Sequence, residues 1–513
     1  MAASAPYQPS TIAGAEEVSV ARSRLEILSQ LQSLLLAALV VLAPVIVYVI
    51  FVGSMSDMAA DHRLAPSFAI AKGYQLYYPA DHGPVLSTIY GPVTALVYLP
   101  ATLASSPLGA IFIATILTLA MFYGGSIVAV REAAGTTWLK IWELLAVIVA
   151  VTWLFPPVHR AASSIHADAP ALAFGAIAAA FAMRQRWRVS RWENEVLAGV
   201  CCAASVFAKQ NMAPLALGLA LWVLLRARWK GLAIFAAAAA TCSALLMGLI
   251  AARLGGVSAY FFNCIYLPLH QPYDKALLFP ALSQLLTLSL AILALPVFRL
   301  LESWSRAGEG HLEFLLSRKT TLLLLVGVVL IPTSIMGRLK FGATESALSP
   351  TLYFFVLALI AELFSGQASR QESGEIRLAA IPVLLACVIG ATPAIYLAAK
   401  ARVENPAQQV YEYCRSNPGK VYFPQFPLAQ LMAEGTLYHF AWGLTDRRAA
   451  GVPITDEHFA ANIPADASAM AIVPWVPMWD QEATARHGKP INVEGGARLR
   501  GFAFYAMNAA ARR

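Results

Sequence analysis

Apolar residues along this 513-residue chain come in long runs, without the short-period alternation of a surface strand. Residues 31–53 read LQSLLLAALVVLAPVIVYVIFVG without one charge. A bilayer core needs about 20 apolar residues in a helix, so the run can span. A secretory leader has a shorter apolar region ending in a small-residue cleavage site, whereas here a polar tail precedes a run of full membrane length. It reads as the first transmembrane helix. Further runs cover residues 108–130, 138–155, 169–183, 195–208, 213–225, 232–252, 277–297, 320–336, 348–364 and 378–399.

One stretch is ambiguous. Residues 86–105 are interrupted by Gly91, Pro92, Pro100 and two tyrosines, so they form either a span or a juxtamembrane helix lying in the interface. Counting them as a span reverses the side of every later loop. If they do not span and the N-terminus is inside, seventeen Lys and Arg fall in cytoplasmic loops against eight outside. That asymmetry satisfies the positive-inside rule, and the RQRWRVSR cluster is badly placed otherwise. The expectation is an α-helical polytopic protein of about eleven transmembrane helices, with juxtamembrane helices in its first outer loop. Residues 1–30 are then a cytoplasmic tail, 31–400 the transmembrane domain with its outer loop at 54–107, and 401–513 an outer domain.

Composition agrees with a membrane protein: 58% of residues are hydrophobic and 13% charged. The net charge of +8 is scattered between apolar runs and forms no basic stripe, which argues against nucleic acid. Beyond residue 401 hydropathy drops. The β-type stretches KVYF and AMAIVPW around a helix-like PLAQLMAEG predict a small α/β or α+β domain. Of six cysteines, four sit inside apolar runs as small hydrophobes. Cys264 and Cys414 fall outside, where a disulfide can form.

On these sides the outer loops collect the polar chemistry. The first carries Asp57, Asp61, His62, Lys72, Asp81 and His82. Asp57 and Asp61 are four apart, on one face if helical, where they act as a base, share a cation or repel each other; a plain solvated loop is the bland alternative. In PPVHRAASSIHADAP, His159, Arg160, His166 and Asp168 crowd the mouth of two helices, although Asp168 ahead of Pro170 also suits a helix cap. Lys209, Gln210 and Asn211 lie between two apolar runs. A lysine so close to hydrocarbon is either functional or snorkelling. Arg338, Lys340, Gly342 and Glu345 make a cationic segment suited to clamp a phosphate. Tyr266, His270, Tyr273 and Asp274 add a loop whose aromatics suit an interfacial belt.

A carboxylate beside the membrane and cations at headgroup depth suit glycosyl transfer from a lipid phosphate. The carboxylate deprotonates an acceptor hydroxyl, and Arg and Lys stabilise the departing phosphate. A phosphate leaves without a general acid, unlike the leaving group of a hydrolase with two carboxylates.

Several of these motifs, in this order, resemble GT-C superfamily glycosyltransferases: Gly73-x-x-x-Tyr77, YGP at Tyr90 to Pro92, HADAP at His166 to Pro170, KQN at Lys209 to Asn211, and RLKFG leading to Pro350. The likeness is to bacterial relatives of protein mannosyltransferases and of aminoarabinose transferases that use polyprenyl-phosphate sugars. It extends to the tail's GKVYFPQFPLAQL. It implies an inverting transferase at the periplasmic face of the inner membrane, taking a sugar from a polyprenyl-phosphate donor to a lipid, glycan or protein acceptor. The family's catalytic Asp follows the first helix. Its usual Asp-Glu pair is absent here, so Asp57 and Asp61 compete, with Asp57 nearest the helix end. Asp61 and Asp168 are then supporting acids, with Lys209, Arg338 and Lys340 on the phosphate. His82, Tyr90, His166, Gln210, His270 and Glu345 complete the expected substrate surface.

Some relatives use a divalent cation, and Asp57 and Asp61 are the residues to hold Mg²⁺ or Mn²⁺. A polymerase or ligase with a pyrophosphate-linked donor is the near rival. A secondary transporter is the distant one, disfavoured because the two halves show no pairing and the centres of the runs carry no charge.

Overall fold

The computed structural model describes residues 11–86, 88–135, 141–184, 192–306, 311–365, 372–474, 489–493, 496, 499 and 501–507. The RQRWRVSR cluster beyond Arg184 and the end of AMAIVPW beyond Pro474 lie outside them. Helix α1 (Thr11–Met55) carries the first apolar run. It is followed by a short α2 (Ala59–Ala71), by α3 (Pro92–Val97) and then by the long α4 (Pro107–Ala134). Next come α5 (Ile141–Leu154) and α6 (Pro156–Ser163), a pair bent by 117°, then α7 (Asp168–Met183), α8 (Trp192–Ala208) and α9 (Ala213–Arg253). Helices Leu278–Arg306, Thr320–Val329 with Ile331–Leu339, Ser349–Phe364 and Glu372–Ala391 with Pro393–Lys400 complete the bundle. The protein is a multi-pass membrane protein.

The ambiguous stretch resolves into the six-residue α3 and a 3-10 turn at Leu99–Leu103. At 1.5 Å per residue α3 is about 9 Å long, far too short to cross a membrane. Its Pro and Gly residues break what would otherwise be one run.

Helix α9 looks like one helix of 41 residues, yet it is a hairpin. Gln210, just ahead of it, donates to the carbonyl of Cys264, eleven residues past its end. A straight helix of that length would part these residues by about 60 Å. The chain turns back at Arg228, whose φ of 59° and ψ of −167° are non-helical. Its two halves correspond to the expected runs 213–225 and 232–252. Among the described residues seven helices are long and apolar enough to cross a membrane, or eight if the bent α5–α6 pair is one span, and the hairpin divides one of these into two.

Lipid is as apolar as leucine, so the helices are held by close packing and polar contacts more than by escape from solvent. Helix α7 is built largely of alanine, and Gly125 of α4 lies against Ala173 so closely that a Cβ there would stand 2.8 Å from its Cα. Every residue of Ser349–Phe364 is buried, making it the central post. One end of the bundle is pinned by Glu132, which pairs with Arg184 and Lys319, and by Glu362, which pairs with Arg318.

The opposite end carries the first loop and the C-terminal domain. Strands β1 (Val421–Tyr422), β2 (Ala469–Ile472) and β3 (Ala503–Ala506) form a mixed sheet in that order, parallel then antiparallel. Four short helices accompany it, among them Pro427–Glu434, which stops at Gly435 in the left-handed conformation (φ 78°). The domain is stitched to the first loop. Arg447 donates to the carbonyls of Pro79 and Ala80, Phe440 N–H donates to the Val85 carbonyl, and Val85 N–H donates to His439 Nδ1. Cys264 and Cys414 are both free, so the bridge that their placement allowed is not formed. Cys264 hydrogen-bonds the Tyr90 carbonyl at 3.0 Å, while Cys414 packs in the domain's own core beside Phe423.

Candidate functional site

A cavity of about 630 Å³ opens where the bundle meets the C-terminal domain. The first loop supplies Arg63 and Tyr90 to its wall, the break between α8 and α9 supplies Lys209, Gln210 and Asn211, and the 337–347 segment supplies Lys340. Trp442, Thr445 and Asp446 come from the C-terminal domain, and Gln271 and Tyr273 from the loop ahead of helix Leu278–Arg306. That loop is tied to the 340 segment by Asp274 N–H on the Leu339 carbonyl and Phe341 N–H on the Pro272 carbonyl.

The best-connected feature is a chain of four side chains. The buried Asp168 carboxylate takes Lys209 Nζ on Oδ1 and His166 Nδ1 on Oδ2 at 2.6 Å. His166 Nε2 meets the Tyr90 hydroxyl at 2.9 Å. Burial, and then the Arg63 guanidinium, push His166 down to about 4, so it is neutral at pH 7. The tautomer follows: Nδ1–H donates to Asp168 and Nε2 accepts from Tyr90. Burial also raises the Tyr90 phenol above its ordinary range, keeping it a donor. Asp168 therefore neutralises Lys209 and, through His166, orients Tyr90 on the cavity wall.

Two features of the wall are free to meet a ligand, and a third, Arg63, is already partnered. Lys340 is half-buried with no ion-pair partner among the described residues, and burial lowers its pKa from the ordinary lysine value. Gln210 donates to the Ile89 and Cys264 carbonyls, which leaves its Oε1 buried and unpartnered, as is Asn211 Oδ1. Arg63 lies 3.7 Å from Asp57 and over the Trp442 ring at 5.4 Å.

The expected residues thus divide. Tyr90, His166, Lys209, Gln210 and Lys340 reach the cavity, with Asp168 directly behind. Asp57 stands behind Arg63 and accepts the Ala59 N–H at 2.9 Å. Asp61 faces elsewhere: its oxygens accept the Leu428 and Ala429 N–H groups at 2.8 and 3.1 Å, capping helix Pro427–Glu434, and burial pushes its pKa up to about 8. Asp57 and Asp61 as placed do not fit a shared cation, because Asp61 has both oxygens turned to N–H donors and Asp57 faces Arg63. Nor do any three His, Cys, Asp or Glu among the described residues group to hold a metal. Arg338 donates to the Ala343 carbonyl at 3.1 Å, bracing its own loop. Arg338, Glu345, His82 and His270 are not on the cavity wall. His82 is exposed beside Asp81, and His270 stacks on Tyr266.

Arg63, Gln271, Trp442 and Asp446 are cavity residues that sequence reasoning passed over. Arg63 sits between residues already singled out, and its spacing from Asp57 was a usable signal. Asp446, in WGLTDRR, gives none: only the fold brings the tail to the helix ends.

No protein-family model matches the sequence, and no curated protein does. The structure, however, is similar to a crystal structure of ArnT from Cupriavidus metallidurans bound to undecaprenyl phosphate, with a TM-score of 0.56 and 13% identity. The match covers 92% of this chain and 98% of that one, so it includes the bundle, the first loop and the C-terminal domain together. This chain has the GT-C fold.

Proposed function

We propose that the protein is a GT-C type inverting glycosyltransferase that moves a sugar from a polyprenyl-phosphate donor to a lipid, glycan or protein acceptor at the periplasmic face. The observation that carries this reading is the cavity wall. It offers an unpaired half-buried cation, Lys340, beside the unpartnered oxygens of Gln210 and Asn211. A phosphate suits the first, since a buried ammonium is stabilised by a charge-assisted hydrogen bond. Sugar hydroxyls suit the second, since each donates a proton that a bare amide oxygen lacks. A fold shared with a protein solved with undecaprenyl phosphate supports the same class of donor. Lys340 and Arg63 would hold the phosphate as it departs, and Tyr90, kept protonated and aimed by its donation to His166 Nε2, would accept from a sugar hydroxyl.

Purified protein in lipid nanodiscs, supplied with labelled polyprenyl-phosphate and polyprenyl-pyrophosphate sugars, tests the reading. Consumption of the monophosphate donor is expected. Turnover of the pyrophosphate donor alone would replace it with a polymerase or ligase, and solute flux without turnover would replace it with a transporter.

A further inference from the structure

We infer that Asp446 of the C-terminal domain is the carboxylate that accepts the proton of the incoming acceptor hydroxyl. The inference rests on the transferase reading above and deepens it. Four carboxylates stand at or near the cavity, and their partners separate them. Asp168 has both oxygens engaged, by Lys209 and His166. Asp61 has both engaged by backbone N–H groups. Asp57 accepts the Ala59 N–H on one oxygen and faces Arg63 with the other. Asp446 lies on the cavity wall itself, takes the Gln271 amide on Oδ1 at 2.8 Å, and has Oδ2 without a partner among the described residues.

The charges around it leave it basic. Its neighbour Arg447 turns away to the carbonyls of Pro79 and Ala80. His270, on the short helix Leu267–His270 packed against Ala441–Ala449, turns to Tyr266. Tyr90, His166, Lys209, Arg63 and Lys340 share the cavity, but none pairs with Asp446. Burial accordingly pushes its pKa up to about 7, close to the value at which a base is both ionised and strong enough to work at neutral pH. Asp57, held by Arg63, is not on the cavity wall.

The step balances simply. Oδ2 takes the hydroxyl proton, the acceptor oxygen bonds to the anomeric carbon, and the carbon–oxygen bond to phosphate breaks with its electron pair leaving on the lipid phosphate. The proton ends on Asp446. Gln271 is a positioning residue that holds the carboxyl facing the cavity.

The test uses full-length protein in nanodiscs with a labelled polyprenyl-phosphate sugar, and lipid phosphate alone as the binding probe. Asp446→Asn is expected to lower kcat on the order of 10²- to 10⁴-fold while lipid phosphate still protects the variant against thermal unfolding. Wild-type kcat should fall as pH drops through about 7, because the carboxylate becomes protonated, and level off above it. Asp446→Glu should keep partial activity with that limb displaced, and Asp57→Asn should keep the limb while binding donor more weakly. Wild-type turnover in Asp446→Asn, or an unchanged acid limb in Asp446→Glu, would overturn the assignment alone. A wild-type protein that consumes no lipid-phosphate sugar would overturn the transferase reading and the assignment with it.

Discussion

Lys209 and Lys340 are two lysines on one cavity wall with different duties. Lys209 is answered by Asp168, so its charge is already balanced, while Lys340 meets no carboxylate among the described residues. Removing Lys340 should therefore affect the ligand and spare the fold. Lys340→Gln is expected to weaken lipid-phosphate binding by roughly 10- to 100-fold, the equivalent of one charge-assisted hydrogen bond, as read by titration of labelled lipid phosphate. Unchanged affinity would remove Lys340 from the phosphate site. At this scale the sequence was readable where a residue type was out of place, as with a lysine or histidine at a helix mouth. It was silent on partners. Asp57, Asp61 and Asp168 look alike as letters, yet one braces an arginine, one caps a distant helix and one orients a histidine. Those tasks are set by contacts between residues 2 to 368 positions apart.

Among elements, the reversal inside α9 shows how charge and length together locate a turn. Arg226, Arg228 and Lys230 interrupt an apolar stretch twice as long as a membrane needs, so hydropathy alone divides it correctly. The backbone of the turn is less comfortable: φ 59° with ψ −167° is a region that essentially only glycine adopts without strain. Arg228→Gly should relieve roughly 1–3 kcal/mol of strain, partly offset by the added freedom of glycine in the unfolded chain. A higher Tm in a thermal-shift assay is the expected result, and a lower one would mean that the arginine side chain stabilises the turn. The 86–105 stretch was left open by its Gly and Pro residues, and the charge count decided it against a span. The tie from Asp61 to helix Pro427–Glu434 was not, because a cap supplied from another part of the chain leaves no local pattern.

For the whole molecule, we propose from the positive-inside count that the cavity and the C-terminal domain face the periplasm. A single cysteine placed at the exposed His82 should react with a membrane-impermeant maleimide in spheroplasts, above the background of the native thiols. One placed at Arg184, at the other end of the bundle, should react only after permeabilisation. The reverse pattern would invert the protein and move its chemistry to the cytoplasm. The multi-pass helical character was open to sequence reasoning because lipid imposes a simple rule on every span. The cavity was only half legible, because its far wall belongs to a domain whose docking no periodicity reports.

That far wall also sets an order of events in the life of the protein. Trp442, Thr445 and Asp446 are made last, after every membrane crossing, and the Arg447 and Phe440 contacts to the first loop are what seat them. Until the C-terminal domain has docked, the bundle holds Lys340 and the Tyr90 relay but has no closed chamber. A nascent or clipped chain ending before Trp442 thus carries those residues on an open face. The chamber closes only when that domain is seated, so its formation depends on contacts between the two ends of the chain.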